Sequence, residues 1–329
     1  MRRRPSFPES KSKAMAYYLG LDTSNYTSSV ALYNSQTRQV IQQKKLLPVK
    51  QGTLGLRQSD AVFAHVKQLG ALVRELMAQE SVRLDGVGVS VRPRDQEGSY
   101  MPCFLVGELV AESIASVCGI QISRFSHQAG HIAAALFSAG QLGLLGQRFA
   151  AFHLSGGTTE CLLVQPDPQW IFSVELAAQS LDLKAGQAVD RVGRMLGLPF
   201  PAGRQLEALA LQSERRFRIR PAMKGRDCSL SGIQNQCERM QKAGEPACDI
   251  ALFCIESILA VVDRMTEQIR ESEGNLPVIY SGGVMSNRII RERITGKYGG
   301  FFAEPQFSSD NAAGISILAM LAQTGGAPK

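Results

Sequence analysis

No CxxC pair occurs among the seven cysteines of this chain, no unbroken apolar run is long enough to span a bilayer, and histidine appears only four times in 329 residues. Without paired spacings there is no disulfide framework, so Cys103, Cys118, Cys161, Cys228, Cys237, Cys248 and Cys254 are expected as reduced thiols of a cytoplasmic protein. Cys228, in a polar turn, is expected to be the most exposed of them. The missing apolar run excludes a transmembrane helix and a membrane partner. The head of the chain, residues 1–14, has no apolar segment of the kind a secretory signal needs. Its five cations, Arg2, Arg3, Arg4, Lys11 and Lys13, face only Glu9, and it is expected to be a disordered basic extension. The remaining composition, 44% apolar and 20% charged, is that of a globular chain. A formal net charge of +7 is compatible with RNA as a partner.

What is present is a strand-to-turn unit used three times. Leu19 to Asp22 leads into Thr23-Ser24-Asn25, Phe149 to Phe152 into His153-Leu154-Ser155-Gly156-Gly157-Thr158-Thr159-Glu160, and Pro277 to Tyr280 into Ser281-Gly282-Gly283. Adjacent glycines beside hydroxyl residues at a strand end let backbone N–H groups converge on an anion, although an ordinary turn fits one such pair equally well. Each of the first two units continues as a meander, the first through Gln39 to Leu47 and the second through Ile171 to Leu176. One domain template is therefore expected twice. Between and after them run helical patterns at 61–78, 101–117, 128–139, 185–196, 204–211, 249–270 and 310–322, giving α/β alternation. Arg215 to Arg220 alternates basic and apolar residues. That predicts an edge strand with one solvated face, or a stripe facing nucleic acid.

His127 and His131 stand i,i+4 on one helical face, a spacing that lets both imidazoles reach one divalent metal. Two polar helix residues without a metal fit the same spacing. A third ligand must come from elsewhere, and Asp310 is the best candidate, because at the cap of the last helix its carboxylate is held at a mouth. Asp22, ending the first strand beside Ser24, is where a nucleotide site would use a carboxylate for Mg²⁺ or water. Asp190, one turn into the helix after Lys184-Ala185-Gly186, is able to reach a ribose hydroxyl; a hairpin-stabilising Asp22 and a solvated helical Asp190 fit the sequence equally well. The loop Arg92-Pro93-Arg94 carries two arginines able to hold an anionic ligand, and a plain solvated turn fits the same residues at least as well.

The order of Asp-Thr-Ser, His-Gln-Ala-Gly-His, Leu-Ser-Gly-Gly-Thr-Thr-Glu, Gly-Gln-Ala-Val-Asp-Arg, Leu-Gly-Leu-Pro-Phe-Pro-Ala-Gly, Ser-Leu-Ser-Gly, Gly-Gly-Val-Met-Ser-Asn and Ser-Asp-Asn-Ala-Ala-Gly, from Gly20 to Leu318, resembles the tRNA N6-threonylcarbamoyladenosine transferase family, also called glycoprotease-like. The resemblance implies an actin-like, sugar kinase and Hsp70 ATPase fold. Its two lobes would each hold a mixed five-stranded sheet flanked by helices. Residues 15–145 would form the first lobe with the metal-binding helix, 146–309 the second, and a helix at 310–325 would pack back on the first. It implies a metal, Fe or Zn, on His127, His131 and Asp310, and an ATP- or AMP-type nucleotide, with Mg²⁺ as a further candidate. The nucleotide would meet Ser24, Gly156, Gly157, Asp190, Gly203, Gly282, Gly283 and Asn287. Asp22, Ser155 and Thr158 would take the catalytic roles, and tRNA and a partner subunit of a modification complex would be the partners. The chain differs from the family pattern in several places. Asn25, Tyr26 and Thr27 stand where the family has a cysteine and two carboxylates, Arg92-Pro93-Arg94 replaces Gly-Pro-Gly, and Thr158 replaces a histidine. A divergent paralogue is implied. A weakly active nucleotide-binding scaffold and a small-molecule kinase or ATPase of the same superfamily are the alternatives.

Overall fold

The computed structural model describes residues 16–24, 26–48, 56–79, 82–308 and 310–325. The basic head and Asn25 lie outside the described residues.

The first sheet starts as the expected meander: β1 (Tyr17–Asp22), β2 (Thr27–Asn34) and β3 (Gln39–Leu46) pair antiparallel. β2 is buried along its whole length, whereas β3 carries Lys44 and Lys45 and is the outer edge. Helix α1 (Gln58–Gln79) crosses over to β4 (Leu84–Arg92), which lies parallel to β1. Helix α2 (Phe104–Cys118) then crosses to β5 (Gln121–Ser126), giving the order β3-β2-β1-β4-β5. β5 runs straight into α3 (His127–Ser138), whose N-cap Ser126 accepts a hydrogen bond from the N–H of Ala129.

The second unit repeats this order with longer insertions. β6 (Phe149–Leu154), β7 (Thr159–Asp167) and β8 (Ile171–Gln179) form the meander. Helices α4 (Ala185–Met195) and α5 (Gly203–Ala210), the hairpin β9 (Ala222–Lys224) and β10 (Asp227–Ser229), and helices α6 (Ser231–Lys242) and α7 (Ala247–Glu273) follow. β11 (Val278–Ser281) pairs parallel with β6, and α8 (Arg288–Tyr298) leads to β12 (Phe301–Phe302). The order β12-β11-β6-β7-β8 matches the first sheet strand for strand. The chain thus has the two-lobed fold in which each lobe holds a mixed five-stranded sheet flanked by helices.

The last helix, α9 (Ala313–Thr324), returns to the first sheet and to α3. It does so through residues with little or no side chain. A Cβ on Gly314 would sit 1.8 Å from the carbonyl oxygen of Gly130 in α3, and one on Gly20 in β1 would meet Ala312 O at 2.5 Å. Backbone lies on backbone, which carries the chain just before α9 to the start of α3.

Three expectations are corrected. Residues 215–220 pair with no strand among the described residues and are held by side chains instead. Phe217 packs edge-on against Phe253 of α7, and Arg215 pairs with Glu245. Cys228 is buried, not exposed: it lies on β10, bridged to Ser180, and burial pushes its thiol up to about 11. The exposed cysteine is Cys118. Finally, α9 begins at Ala313, so Asp310 precedes the helix and is not its cap.

Candidate active site

A cleft of about 630 Å³ opens between the lobes, lined by residues of α3, β6, the double-glycine turn and the loop before α9. His127 and His131 enter it from the first and second turns of α3. Their Nε2 atoms are 2.9 Å apart, and Asp310 Oδ1 lies 3.6 and 3.4 Å from them respectively. Two imidazole nitrogens facing each other beside a carboxylate require a shared proton or a cation between them. For ligand bonds of about 2.1 Å, the edges of a tetrahedral site are about 3.4 Å, close to this triangle. The donor set fits a divalent transition metal. Among the described residues this is the one group of three His, Cys, Asp or Glu side chains so arranged.

The charges around the pair favour the same conclusion. Asp22 ends β1 fully buried, with both carboxylate oxygens 3.2 Å from His127 Nδ1. It also accepts hydrogen bonds from Ser24, at 2.8 Å, and from Ser90. Burial raises the pKa of Asp22, yet His127 and the Ser90 hydroxyl outweigh it and hold the carboxyl below its ordinary value. Burial likewise opposes charge on His127, but Asp22 and Asp310 raise that imidazole to about 10. Burial would also raise Asp310, and its contacts with His127 and His131 hold it well below the usual carboxylate range. Two carboxylates that keep a proton on a half-buried histidine mark a place where positive charge is stabilised. Asp22 and Ser24 do not line the cleft. They stand behind His127 and fix its Nδ1, leaving Nε2 to the cavity.

His153, which the sequence reading passed over, stands beside the triad, with its ring centroid 4.9 Å from that of His131. The Ser281 hydroxyl donates to Phe152 O at 2.9 Å, so it must accept from His153 Nδ1–H at 3.0 Å. That fixes the tautomer and leaves Nε2 of His153 as a lone pair. Burial, then the neighbouring His131, depress its pKa to about 3, so it stays neutral. The signal was available, since a histidine two residues before Ser155 alternates on the strand with the turn itself.

The double-glycine turn forms the opposite wall. Ser155, Gly156, Gly157 and Thr158 line the cleft, and a Cβ built on either glycine meets nothing within 4 Å. The N–H groups of Gly157 and Thr158 donate to Ser155 Oγ at 3.3 and 3.1 Å, so this hydroxyl occupies part of the expected anion cradle. Helix α4 abuts the turn from behind. Gly186 N donates to Ser155 O at 3.0 Å, and a Cβ on Gly186 would lie 2.6 Å from Gly156 N.

The remaining candidates lie in the second lobe and do not line this cleft. Asp190 accepts from Ala202 N at 2.9 Å, tying α4 to the start of α5 at Gly203. Asn287 caps α8 by accepting from Ile290 N. Next to it, Arg288 N donates to Glu207 of α5, so Asn287 lies near the same helix. Gly282 adopts φ +94°, with Leu154 O filling the space of its absent Cβ at 2.1 Å, whereas Gly283 faces open space.

The family model for TsaD, tRNA N6-adenosine threonylcarbamoyltransferase, matches residues 38–317. Among solved structures, the fold is similar to a full-length HypF in its phosphate- and nucleotide-bound form, at 16% identity and TM-score 0.59, covering 94% of this chain and 55% of that one. It is also similar to component A of (R)-2-hydroxyglutaryl-CoA dehydratase from Acidaminococcus fermentans, at 14% identity and TM-score 0.53, covering 94% and 99%. A third is the activator of 2-hydroxyisocaproyl-CoA dehydratase from Clostridium difficile with bound ADPNP, at 12% identity and TM-score 0.50, covering 95% and 99%. The chain spans about half the length of HypF, and at these identities the likeness concerns the fold.

Proposed function

The chain belongs to the TsaD family, tRNA N6-adenosine threonylcarbamoyltransferases, and on that premise we propose that it transfers a threonylcarbamoyl group from its AMP adduct to N6 of adenosine 37 in a tRNA. The observation that carries this reading is the convergence of His127, His131 and Asp310 in one cleft with the double-glycine turn. His127, His131 and Asp310 would hold a divalent metal, Fe or Zn, which supplies Lewis-acid polarisation of a donor oxygen. Asp22 orients His127 for that task. The turn at 155–158 receives the donor phosphate, with Ser155 Oγ yielding the N–H groups of Gly157 and Thr158 to it. The exocyclic amine then forms the new C–N bond, the bond from the carbamoyl carbon to the phosphate oxygen breaks, the proton lost from the amine passes to the departing phosphate, and AMP leaves as an anion met by preorganised dipoles.

Asp190, Gly203, Gly283 and Asn287, across α4, α5 and α8, suit the nucleoside end of the donor, in the second lobe. Thr27 donates to Asp310 Oδ2 at 3.5 Å, and Tyr26 lines the cleft where the family places acids. With that charge missing, turnover below that of a family member carrying both acids is expected.

For the tRNA partner, Arg216, Arg218 and Arg220 are exposed, and none has an ion pair among the described residues. They alternate with Phe217 and Ile219, and at strand spacing such alternate side chains would repeat every ~6.6 Å, which suits successive phosphates of one nucleic-acid strand. For a partner subunit, Phe63 and Val66 of α1 and Leu105 and Leu109 of α2 are exposed on two helices that pack together. No helix among the described residues is long and apolar enough to cross a membrane. The test is incubation of metal-loaded protein with tRNA and threonylcarbamoyl-AMP, followed by mass spectrometry of the nucleosides. Threonylcarbamoyladenosine is expected from the wild type and none from His131→Ala.

A further inference from the structure

Arg92, the last residue of β4, and Arg94, in the loop that follows, are held differently, and of the two only Arg94 lines the cleft. Arg92 is consumed locally: it pairs with Asp95 at 2.6 Å, and Asp95 in turn accepts from Ser126, the N-cap of α3. Arg94 reaches across to the second lobe. Its backbone N–H donates to Ser99 Oγ at 3.0 Å, and its Nη2 donates to Glu160 Oε2 at 2.8 Å. Glu160, two residues past Thr158, is nearly buried, and its other oxygen accepts from Gln128 Nε2 at 3.1 Å, one residue past His127. Both oxygens of Glu160 are thus satisfied, whereas Arg94 has one of its five N–H donors engaged by a side chain and keeps 37% of its side chain exposed at the cleft. The result is a guanidinium fixed in place by a buried carboxylate, with a free edge toward the cavity that holds the metal triad.

The threonylcarbamoyl donor carries two anionic groups, a phosphate and the carboxylate of its amino acid. The phosphate has the double-glycine turn. A planar, bidentate cation suits the carboxylate, and an arginine fork supplies one where a glycine cannot.

We propose that Arg94 is the receptor for the carboxylate of the acyl group, aimed by Glu160 and Gln128, and that it makes this chain select acyl groups bearing a free carboxylate. The proposal rests on the transferase reading and adds a specificity residue at a position where the family pattern has glycine. Glu160 acts through Arg94 as a positioning residue.

The test uses metal-loaded protein and a sulfamoyl analogue of threonylcarbamoyl-AMP, which cannot transfer its acyl group, together with the methyl ester of that analogue and AMP alone. Affinities are measured by titration calorimetry without tRNA. Wild type is expected to bind the acid about 10- to 100-fold more tightly than the ester, the range for a charge-assisted hydrogen bond. Arg94→Met paired with Glu160→Gln, which leaves no buried carboxylate unpaired, should bind acid and ester alike, with the ester and AMP unchanged. Arg94→Lys should keep part of the preference. An acid-to-ester ratio equal in wild type and the double variant, a ratio near one in wild type, or no binding of the analogue to wild type would each overturn the proposal. So would an equal loss of AMP binding in the variant, which would put Arg94 on the phosphate. A ratio that collapses in the variant while no modified adenosine forms in the tRNA assay would sink the transferase reading and leave Arg94 as a carboxylate receptor.

Discussion

Replacing Asp22 with asparagine separates charge from shape at the heart of the site. Asp22 is fully buried and serves three partners: His127 Nδ1 at 3.2 Å, Ser24 and Ser90. Asparagine has the same outline. With its carbonyl toward His127 and Ser90 and its amide toward Ser24, whose hydroxyl can turn to accept, every hydrogen bond is retained. Only the unit charge behind the metal ligand is lost. Carboxylates in this position raise the basicity of the coordinating nitrogen, and their removal commonly weakens metal binding 10- to 100-fold, or about 1.4 to 2.7 kcal/mol. Part of the effect cancels, because in metal-free protein Asp22 also stabilises a proton on His127. A divalent ion carries twice that charge, so a net loss remains. Competition against a chromophoric chelator with Zn²⁺ should therefore show a dissociation constant raised 10- to 100-fold in Asp22→Asn. His127→Ala, which removes a ligand outright, should lose more. Wild-type affinity within about threefold in Asp22→Asn would refute the assignment of Asp22 as the residue that orients His127.

Three further outcomes follow from the same geometry. Gly186→Ala should destabilise the fold by about 1–3 kcal/mol in chemical denaturation, because the added methyl meets the backbone of Gly156, whereas Gly157→Ala should leave stability nearly unchanged and weaken nucleotide binding. His65 is fully buried against Ser28 Oγ at 2.8 Å, and burial, only partly opposed by Asp22, lowers its pKa to about 4. With an unfolded value near 6.5 the native state stays neutral while the unfolded chain takes up a proton, so stability is full above about pH 6.5 and falls by up to ~1.4 kcal/mol per unit as pH drops toward 4. Urea midpoints across that window should show the slope in wild type, and His65→Gln should lose that one-proton component. Changing Arg216, Arg218 and Arg220 together to alanine should lower the salt dependence of RNA binding by about two to three counterions in filter binding over a salt series. An unchanged slope would mean the stripe is solvated and carries no RNA.

Element type was legible because it is a local property. The apolar period of α1 and α7 and the meander pattern of the first forty residues sufficed, and the repeat of that pattern after Phe149 foretold two sheets of one design. Pairing was less legible. Residues 215–220 have the alternation of a strand but find no strand partner among the described residues; Phe217 packs on Phe253 of α7 instead, which alternation cannot reveal. Cys228 reads as a polar turn residue, yet a bridge to Ser180, 48 positions away in the chain, buries it. The capping argument for Asp310 relied on a helix that begins three residues later, and the aspartate reaches the histidines because glycine pairs let α9 lie directly on α3. Asp22 was expected at the cleft and instead faces His127 from behind, a direction that no spacing encodes. The pair of Arg94 with Glu160 joins two lobes and lies beyond any local signal.

The central claim is metal-dependent transfer of a threonylcarbamoyl group to adenosine. Its most direct test is the yield of threonylcarbamoyladenosine in tRNA, measured by mass spectrometry of nucleosides after incubation with threonylcarbamoyl-AMP, using protein stripped of metal and then reloaded. Product is expected only after reloading, and none from His127→Ala or His131→Ala at any metal concentration. Equal product from stripped protein, or none from reloaded protein that demonstrably binds both metal and donor, would contradict it.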